Sequence, residues 1–308
     1  MNGVAYRPGY IALHRSGELR RRGEALWEIM KDCKLCPREC RVNRLDGETG
    51  FCNATSNLKV ASYNAHFGEE RPLVGAGGSG TIFLSHCNLR CVFCQNWDIS
   101  HKGSGIDCSI DDLANMMLEL QSRTVSNINV VTPTHFAPHV VLALDQAAGQ
   151  GLRLPLVYNT CGWEQSDILA LLEGIVDIYL ADFKYMDAGK SALYSSDAGS
   201  YPEISRSALI EMNRQVGVAM PAENGMVYSG LMIRHLVMPG DASSSLEAMR
   251  WISGYLPLDT YVNIMIQYRP AYRAHLFPEI NKYVNRETYQ EAVREARKCG
   301  LVNLDVNA

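Results

Sequence analysis

Short apolar runs alternate with helical periodicity along most of the chain. The runs at 81–85, 128–132, 154–159, 175–182, 231–237 and 261–266 predict six strands. They are continuous rather than alternating, as strands of a parallel sheet buried on both faces should be. Helical spacing fills the gaps. Residues 109–121 set Ile110, Leu113, Met116, Met117 and Leu120 on one face, and Ser109 and Asp112 have the spacing of a capping box. Residues 138–149, 164–173, 205–216, 243–253 and 286–299 repeat the pattern. Upstream, 17–32 reads as an amphipathic helix with Leu19, Leu26, Ile29 and Met30 on one side. The stretch from there to Asn57 is poor in apolar residues and rich in Cys, Gly, Asn and Arg, so it needs a metal or a neighbour to fold. The chain therefore divides into a helix with a cysteine-rich module, 1–57, and an α/β unit, 58–308.

Strand ends carry the chemistry. The segments following the six runs are Ser85-His86-Cys87, Thr132-Pro133-Thr134-His135, Asn159-Thr160, Asp182-Phe183-Lys184, Met238-Pro239-Gly240 and Gln267-Tyr268-Arg269. Parallel α/β barrels build their active sites at these ends. Asp182 and Lys184, two apart, share a strand face and can meet one ligand. Arg234 and His235 face opposite ways, and His235 is taken as the inward one. Tyr63–Glu70, Tyr268 and Arg269 are expected to border a substrate opening.

Composition narrows the classes. Of 308 residues 47% are hydrophobic and 20% charged, which excludes a disordered chain. No run reaches the ~20 apolar residues of a membrane span, since Asp177 and Asp182 interrupt the best one. Residues 1–13 do not resemble a signal peptide. A cytoplasmic protein with no membrane partner is expected. The net charge is −4, and the basic run Arg20, Arg21, Arg22 reads as a solvated helix face, so no nucleic-acid partner is expected either. An intracellular chain of this size does not need disulfides to fold, so its ten cysteines, where they cluster, point to metal or redox chemistry. Cys33, Cys36, Cys40 and Cys52 form one group and Cys87, Cys91 and Cys94 another, whereas Cys108, Cys161 and Cys299 are scattered. The first group suits a metal staple, either tetrahedral zinc or a second iron–sulfur cluster. The second is Cys-x3-Cys-x2-Cys directly after a strand. Three thiolates on one loop suit three corners of a cubane cluster and leave one iron open; zinc, with His86 or His101, is the alternative.

The Cys87–Cys94 loop, with Phe93 between its last two cysteines, resembles the signature of the radical S-adenosylmethionine (SAM) superfamily. From about Cys33 to Arg269 the chain is similar to the branch of the pyruvate formate-lyase activating enzyme, including an N-terminal four-cysteine extension. That resemblance implies a partial (β/α)6 barrel holding a 4Fe–4S cluster on Cys87, Cys91 and Cys94. It further implies SAM chelated to the open iron, and reductive cleavage to a 5′-deoxyadenosyl radical that abstracts hydrogen. By position it implies SAM contacts from Thr132, Thr134 and His135, which stand where the family has Gly-Gly-Glu. Asn159 and Thr160 stand in a related Asp-Thr-Asn-Gly, Asp182 and Lys184 match Asp-x-Lys, and His235 lies in the fifth strand. Implied partners are an electron donor of flavodoxin or ferredoxin type and a glycyl-radical protein. Two other readings stay open: a radical SAM enzyme acting on a small molecule or peptide, and a non-catalytic iron–sulfur electron carrier or SAM-binding protein.

Overall fold

All six predicted runs become neighbouring parallel strands, displaced by no more than three residues at either end. The computed structural model describes residues 6–306, so the first five residues of the expected N-terminal module lie outside the described residues. The strands in chain order are β1 Leu58–His66, β2 Ser79–Leu84, β3 Ile106–Cys108, β4 Ile128–Val131, β5 Leu156–Thr160, β6 Ile178–Asp182, β7 Gly230–Leu236, β8 Tyr261–Met265 and β9 Leu304–Val306. They make one nine-stranded sheet, ordered β3-β1-β2-β4-β5-β6-β7-β8-β9. From β2 to β9 neighbours are parallel, whereas β1 runs antiparallel to both β2 and β3. The three strands without a predicted run lie at or next to the sheet margins. β3 and β9 are three residues each, too short for a period to register, and β1 is punctuated by Lys59, Ser62, Asn64 and His66.

The helices are α1 Tyr10–Arg15, α2 Glu18–Ile29, α3 Arg71–Val74, α4 Trp97–Ser100, α5 Ile110–Ser122, α6 Ala137–Gly149, α7 Ser166–Leu172, α8 Ala188–Tyr194, α9 Tyr201–Val216, α10 Ser245–Tyr255 and α11 Arg286–Lys298. The predicted capping box opens α5. The Asp112 amide donates to Ser109 Oγ at 3.0 Å and the Ser109 amide to Asp112 Oδ2 at 2.8 Å, an arrangement that contributes about 1 kcal/mol. The amphipathic N-terminal face is α2, whose Leu19 and Leu26 are fully buried in the same core as Leu113, Leu144, Ile82 and Val130. Cys33, Leu35, Cys52 and Ala54 join that core as well. The cysteine-rich segment thus gains its hydrophobic support from the α/β unit.

The opposite face of the sheet is closed at one end. Leu73 packs against Val157, Ile178, Leu180, Met232 and Tyr261, all projecting from the sheet's inner face. The connection 67–78 that carries Leu73 enters β2, so it lies at the N-terminal ends of the parallel strands. It is fastened there by Asn127 Nδ2 donating to Leu73 O (2.8 Å), Ser126 Oγ to Val74 O (3.0 Å) and the Val227 amide to Pro72 O (3.0 Å). From this plug two consecutive residues reach across the sheet: Glu69 accepts from Asn129 of β4, and Glu70 from Asn263 of β8. In a flat sheet those strands would stand four spacings, about 19 Å, apart. The sheet is therefore curled around its inner face and closed below. Among the described residues no helix is long and apolar enough to cross a membrane.

Candidate functional site

Above the plug, at the C-terminal strand ends, the chain leaves β2 through His86 and turns at Arg90, both in the left-handed region (φ 72° and 50°). Non-glycine residues there are costly and mark a loop held for a purpose or by its surroundings. The loop brings Cys87, Cys91 and Cys94 to one cleft, which Thr132, Asn159, Thr160, Asp182, Lys184 and Arg234 also line. Thr132 is a third left-handed residue at its rim (φ 57°). Hydroxyls stand beside two of the thiols: Ser195 Oγ lies 3.0 Å from Cys91 Sγ, and Ser100 Oγ 3.1 Å from Cys94 Sγ. Behind the loop, Leu89, Phe93, Trp163, Tyr185 and Tyr268 form a small buried cluster that shields it. Cys161 lines the cleft too, 3.5 Å from Asn88 Oδ1. It has no spacing partner in the sequence, so no pattern could place it.

Below the thiols the cleft floor is an ion network. Lys184 Nζ donates to Asp182 Oδ2 at 2.5 Å, and Arg234 Nε to Asp182 Oδ1 at 2.8 Å. Arg234 also donates to Asn159 Oδ1 at 2.7 Å and to Glu69 Oε1 at 3.4 Å, and stands 4.0 Å from Glu70. Burial opposes ionisation of Asp182, but Arg234 and Lys184 more than offset it and hold the carboxyl below its usual range. Burial likewise pulls Lys184 down, and Asp182 with the neighbouring thiols outweighs it, so the ammonium is held above the ordinary lysine range. Glu70 is different: burial, aided by Glu69 and resisted by Arg234, lifts it to about 7, and its Oε2 has no hydrogen-bond partner among the described residues. Side chains from β5, β6 and β7 and the plug thus converge, with two cations and up to three carboxylates.

The structure redistributes several expected residues. His235 faces outward: its Nδ1 lies 2.7 Å from Phe183 O and its Nε2 2.9 Å from Ser245 Oγ at the start of α10, and burial lowers it to about 4. Arg234 is the inward residue of that pair, because it is the register partner of Asp182 and neighbours in register share a face. His135 is also away from the cleft. It is buried, with Nε2 2.8 Å from Ser85 O, and lines a cavity beside the N-terminal thiols. Thr134 turns its hydroxyl to Glu164 at 2.6 Å, and Thr160, though at the cleft wall, donates to the same oxygen. Both threonines serve a fully buried carboxyl that burial lifts to about 7. Glu164 gives no sign of this in the sequence, where it reads as the first residue of the helix expected over 164–173; the helix itself begins at Ser166. Thr132, Asn159, Thr160, Asp182 and Lys184 line the cleft.

Tyr63–Glu70 does not border the cleft mouth, since antiparallel β1 carries it to the closed end, where Tyr63 Oη donates to Glu119. Tyr268 packs against Phe93 behind the thiol loop, and Arg269 is exposed. The N-terminal thiols occupy a separate small cavity, all four lining it. Among the described residues no three or more His, Cys, Asp or Glu side chains converge closely enough to enclose a metal ion; each cysteine set shares a cavity instead.

No family model matches the chain. Among solved structures, a radical SAM methyltransferase from Sphaerobacter thermophilus aligns at a TM-score of 0.47 and 13% identity, over 74% of this chain and 66% of that one. The uncharacterized protein MJ0808 of Methanocaldococcus jannaschii is 32% identical over 81 residues, which is 22% of this chain and 24% of that protein. The uncharacterized protein MJ0674 of the same organism is 32% identical over 283 residues, spanning 89% of this chain and 76% of its own length. With that identity sustained across nearly the whole sequence, the chain belongs to the family of MJ0674.

Proposed function

We propose that the protein is a radical SAM enzyme whose partial barrel holds a 4Fe–4S cluster on Cys87, Cys91 and Cys94. The observation that carries this reading is the cleft that the three thiols share with the Asp182–Lys184–Arg234 network. Among the described residues, the three thiols line one cleft without converging on a single-ion position, a spread that suits the corners of a cluster and not one metal ion. Three thiols on one loop leave a fourth iron site open, and an ammonium and a carboxylate lie within the same cleft to receive a zwitterionic amino acid. When bound, the cluster supplies an electron that cleaves SAM, yielding methionine and a radical able to abstract hydrogen.

The chain's own residues then have distinct tasks. Lys184, tethered by Asp182, keeps N–H groups for a ligand carboxylate, a charge-assisted contact. Asp182, held ionised by Arg234 and Lys184, can accept from an ammonium or a ribose hydroxyl. Thr132 adds a hydroxyl at the rim. Asn159 is committed to Arg234 and Glu69, so it braces the floor. Phe93, Trp163 and Tyr268 keep water from the back of the loop. Thr134, His135 and His235 take no part in holding SAM on this reading. The four N-terminal thiols are a metal staple, zinc or iron–sulfur, completing residues 1–57.

The substrate to test first is a backbone glycine of a protein partner, with an electron donor of flavodoxin or ferredoxin type. Anaerobically reconstituted protein, reduced with dithionite, is expected to release 5′-deoxyadenosine and methionine from SAM, measured by mass spectrometry. Deuterium transferred from a labelled glycine residue supports activation of a glycyl-radical protein, and transfer from a small molecule or peptide side chain replaces that substrate. A fully loaded, reduced protein that releases no 5′-deoxyadenosine overturns the enzymatic reading.

A further inference from the structure

The cavity of the N-terminal thiols is lined by two arginines, Arg38 and Arg44, and by no carboxylate. Arg44 is buried to 1% exposure. Its guanidinium donates to two backbone carbonyls, Thr55 O and His135 O, both at 2.7 Å, and lies 3.9 Å from Cys33 Sγ. Among the described residues neither arginine has a carboxylate within 4.0 Å. Arg38 donates instead to Asn88 O and Ser195 O, and stacks over Phe51 at 3.8 Å. A guanidinium cannot shed its charge in a protein, and burying it without a counter-ion is heavily penalised. Carbonyl dipoles relieve only part of that penalty. Among the described residues the thiols are the only acidic groups lining the cavity, and they supply the missing anion as thiolates once a metal ion displaces their protons.

Two further features point to a ligand there. Gly50 leaves room for a sulfur, since a Cβ in its place would sit 2.7 Å from Cys40 Sγ. The Phe51 amide donates to that same sulfur at 3.3 Å, as amides do to a thiolate. His135 also lines the cavity, with Nε2 against Ser85 O and a buried Nδ1 that has no partner among the described residues.

We propose that Cys33, Cys36, Cys40 and Cys52 hold one thiophilic centre as thiolates, with two net negative charges, and that Arg44 and Arg38 are its built-in counter-charges. Four thiolates around a zinc dication or around an oxidised 4Fe–4S core carry that same charge, and two arginines bring the cavity to neutrality. Four neutral thiols or two disulfides would leave the buried Arg44 uncompensated, whereas the half-buried Arg38 also reaches solvent. The same guanidinium groups grip Asn88 within the strand-end loop and His135, which in turn holds Ser85 just before it. The centre therefore positions the Cys87–Cys94 loop through its counter-ions. This inference rests on the metal-staple reading and is independent of SAM cleavage.

The test starts from the full chain carrying Cys87→Ala, Cys91→Ala and Cys94→Ala, so that any bound metal belongs to the N-terminal set. Elemental analysis is expected to find either one zinc or four irons per chain, which distinguishes the two cores, and to lose them on adding Cys33→Ser and Cys52→Ser. No metal in the triple variant overturns the staple and this inference with it. In the otherwise native chain, Arg44→Met is expected to surrender the N-terminal metal to a chelator at least tenfold faster than the parent, with faster amide exchange over 86–90. Arg44→Lys, which keeps the charge, is expected to restore most of the retention. Should Arg44→Met not fold, Arg38→Met at the cavity edge is read in the same way, with Arg38→Lys as its rescue. Metal held as tightly without the charge as with it overturns the counter-ion role while leaving the staple standing.

Discussion

One set of cysteines forms the strand-end loop and the other is joined to it through Arg38, yet their surroundings are opposite in kind. The N-terminal set is enclosed, with cationic side chains and no carboxylate around it. The strand-end set opens on a cleft whose floor mixes Asp182, Lys184 and Arg234 and whose wall offers Thr132 and Asn159. A structural metal site closes its coordination, whereas a catalytic one leaves a position free and surrounds it with groups for a substrate. The two thiol sets therefore differ less in their own chemistry than in what stands next to them, in the way the proposed staple and the proposed cluster site require.

The comparison is broken most decisively at its ligands. Replacing Cys87, Cys91 and Cys94 by Ala should abolish every SAM-dependent change in the iron spectrum while leaving the melting temperature nearly unaltered. Replacing Cys33 and Cys52 by Ser should weaken that SAM-dependent change without abolishing it, because the loop loses its brace, and should lower Tm by about 10 °C, the equivalent of several kcal/mol in a chain of this size. Calorimetry and electron paramagnetic resonance on both variants read this, and exchanged phenotypes would reverse the assignment of roles. Next in size is Arg234→Met. It strands Asp182 and Glu69 beneath the cleft, and urea denaturation should show a loss of about 3–5 kcal/mol. An unchanged midpoint would mean the floor is wetter than its burial implies. Lys184→Ala should spare the fold but weaken SAM binding roughly ten- to a hundredfold, the 1.5–3 kcal/mol of a charge-assisted hydrogen bond. Titration calorimetry showing undiminished affinity would return Lys184 to a purely structural partnership with Asp182.

The smallest effect lies behind the cleft. Glu164 is lifted by burial from 4.5 to about 7. Between those values the folded chain keeps a proton that the unfolded chain has lost, so this contribution to stability is complete below pH 4.5 and declines as pH rises toward 7. Glu164→Gln should flatten the fall of Tm across that window. Some slope should persist, because burial raises Glu70 and Asp177 in the same direction. A slope identical to the parent's would show that Thr134 and Thr160 keep Glu164 ionised.

The parallel strands and the thiol loop were legible because they are local: a run of apolar residues, a fixed spacing, a strand before it. Asp182 and Lys184 were legible by alternation together with the resemblance to Asp-x-Lys. Alternation also said that Arg234 and His235 part company, but choosing between them requires the lateral register of β7 on β6, which a single strand does not encode. Thr134, Thr160 and His135 were assigned by position at a strand end, and there tertiary partners decided otherwise. Glu164 and Ser85 are close to them only in space. Glu69 and Glu70 were noticed but sent to the wrong end, since nothing local announces that β1 runs antiparallel and delivers them beneath the cleft.

The plug that Leu73 and its neighbours make at the N-terminal strand ends has a kinetic meaning. A vessel sealed at its base has one doorway, so whatever lies deepest must arrive first and depart last. If the amino acid portion of SAM settles against Asp182 and Lys184, a second substrate can only stack above it. Binding should then follow a compulsory order, and products should leave in reverse. Product inhibition by methionine should accordingly be competitive toward SAM and of another type toward the second substrate.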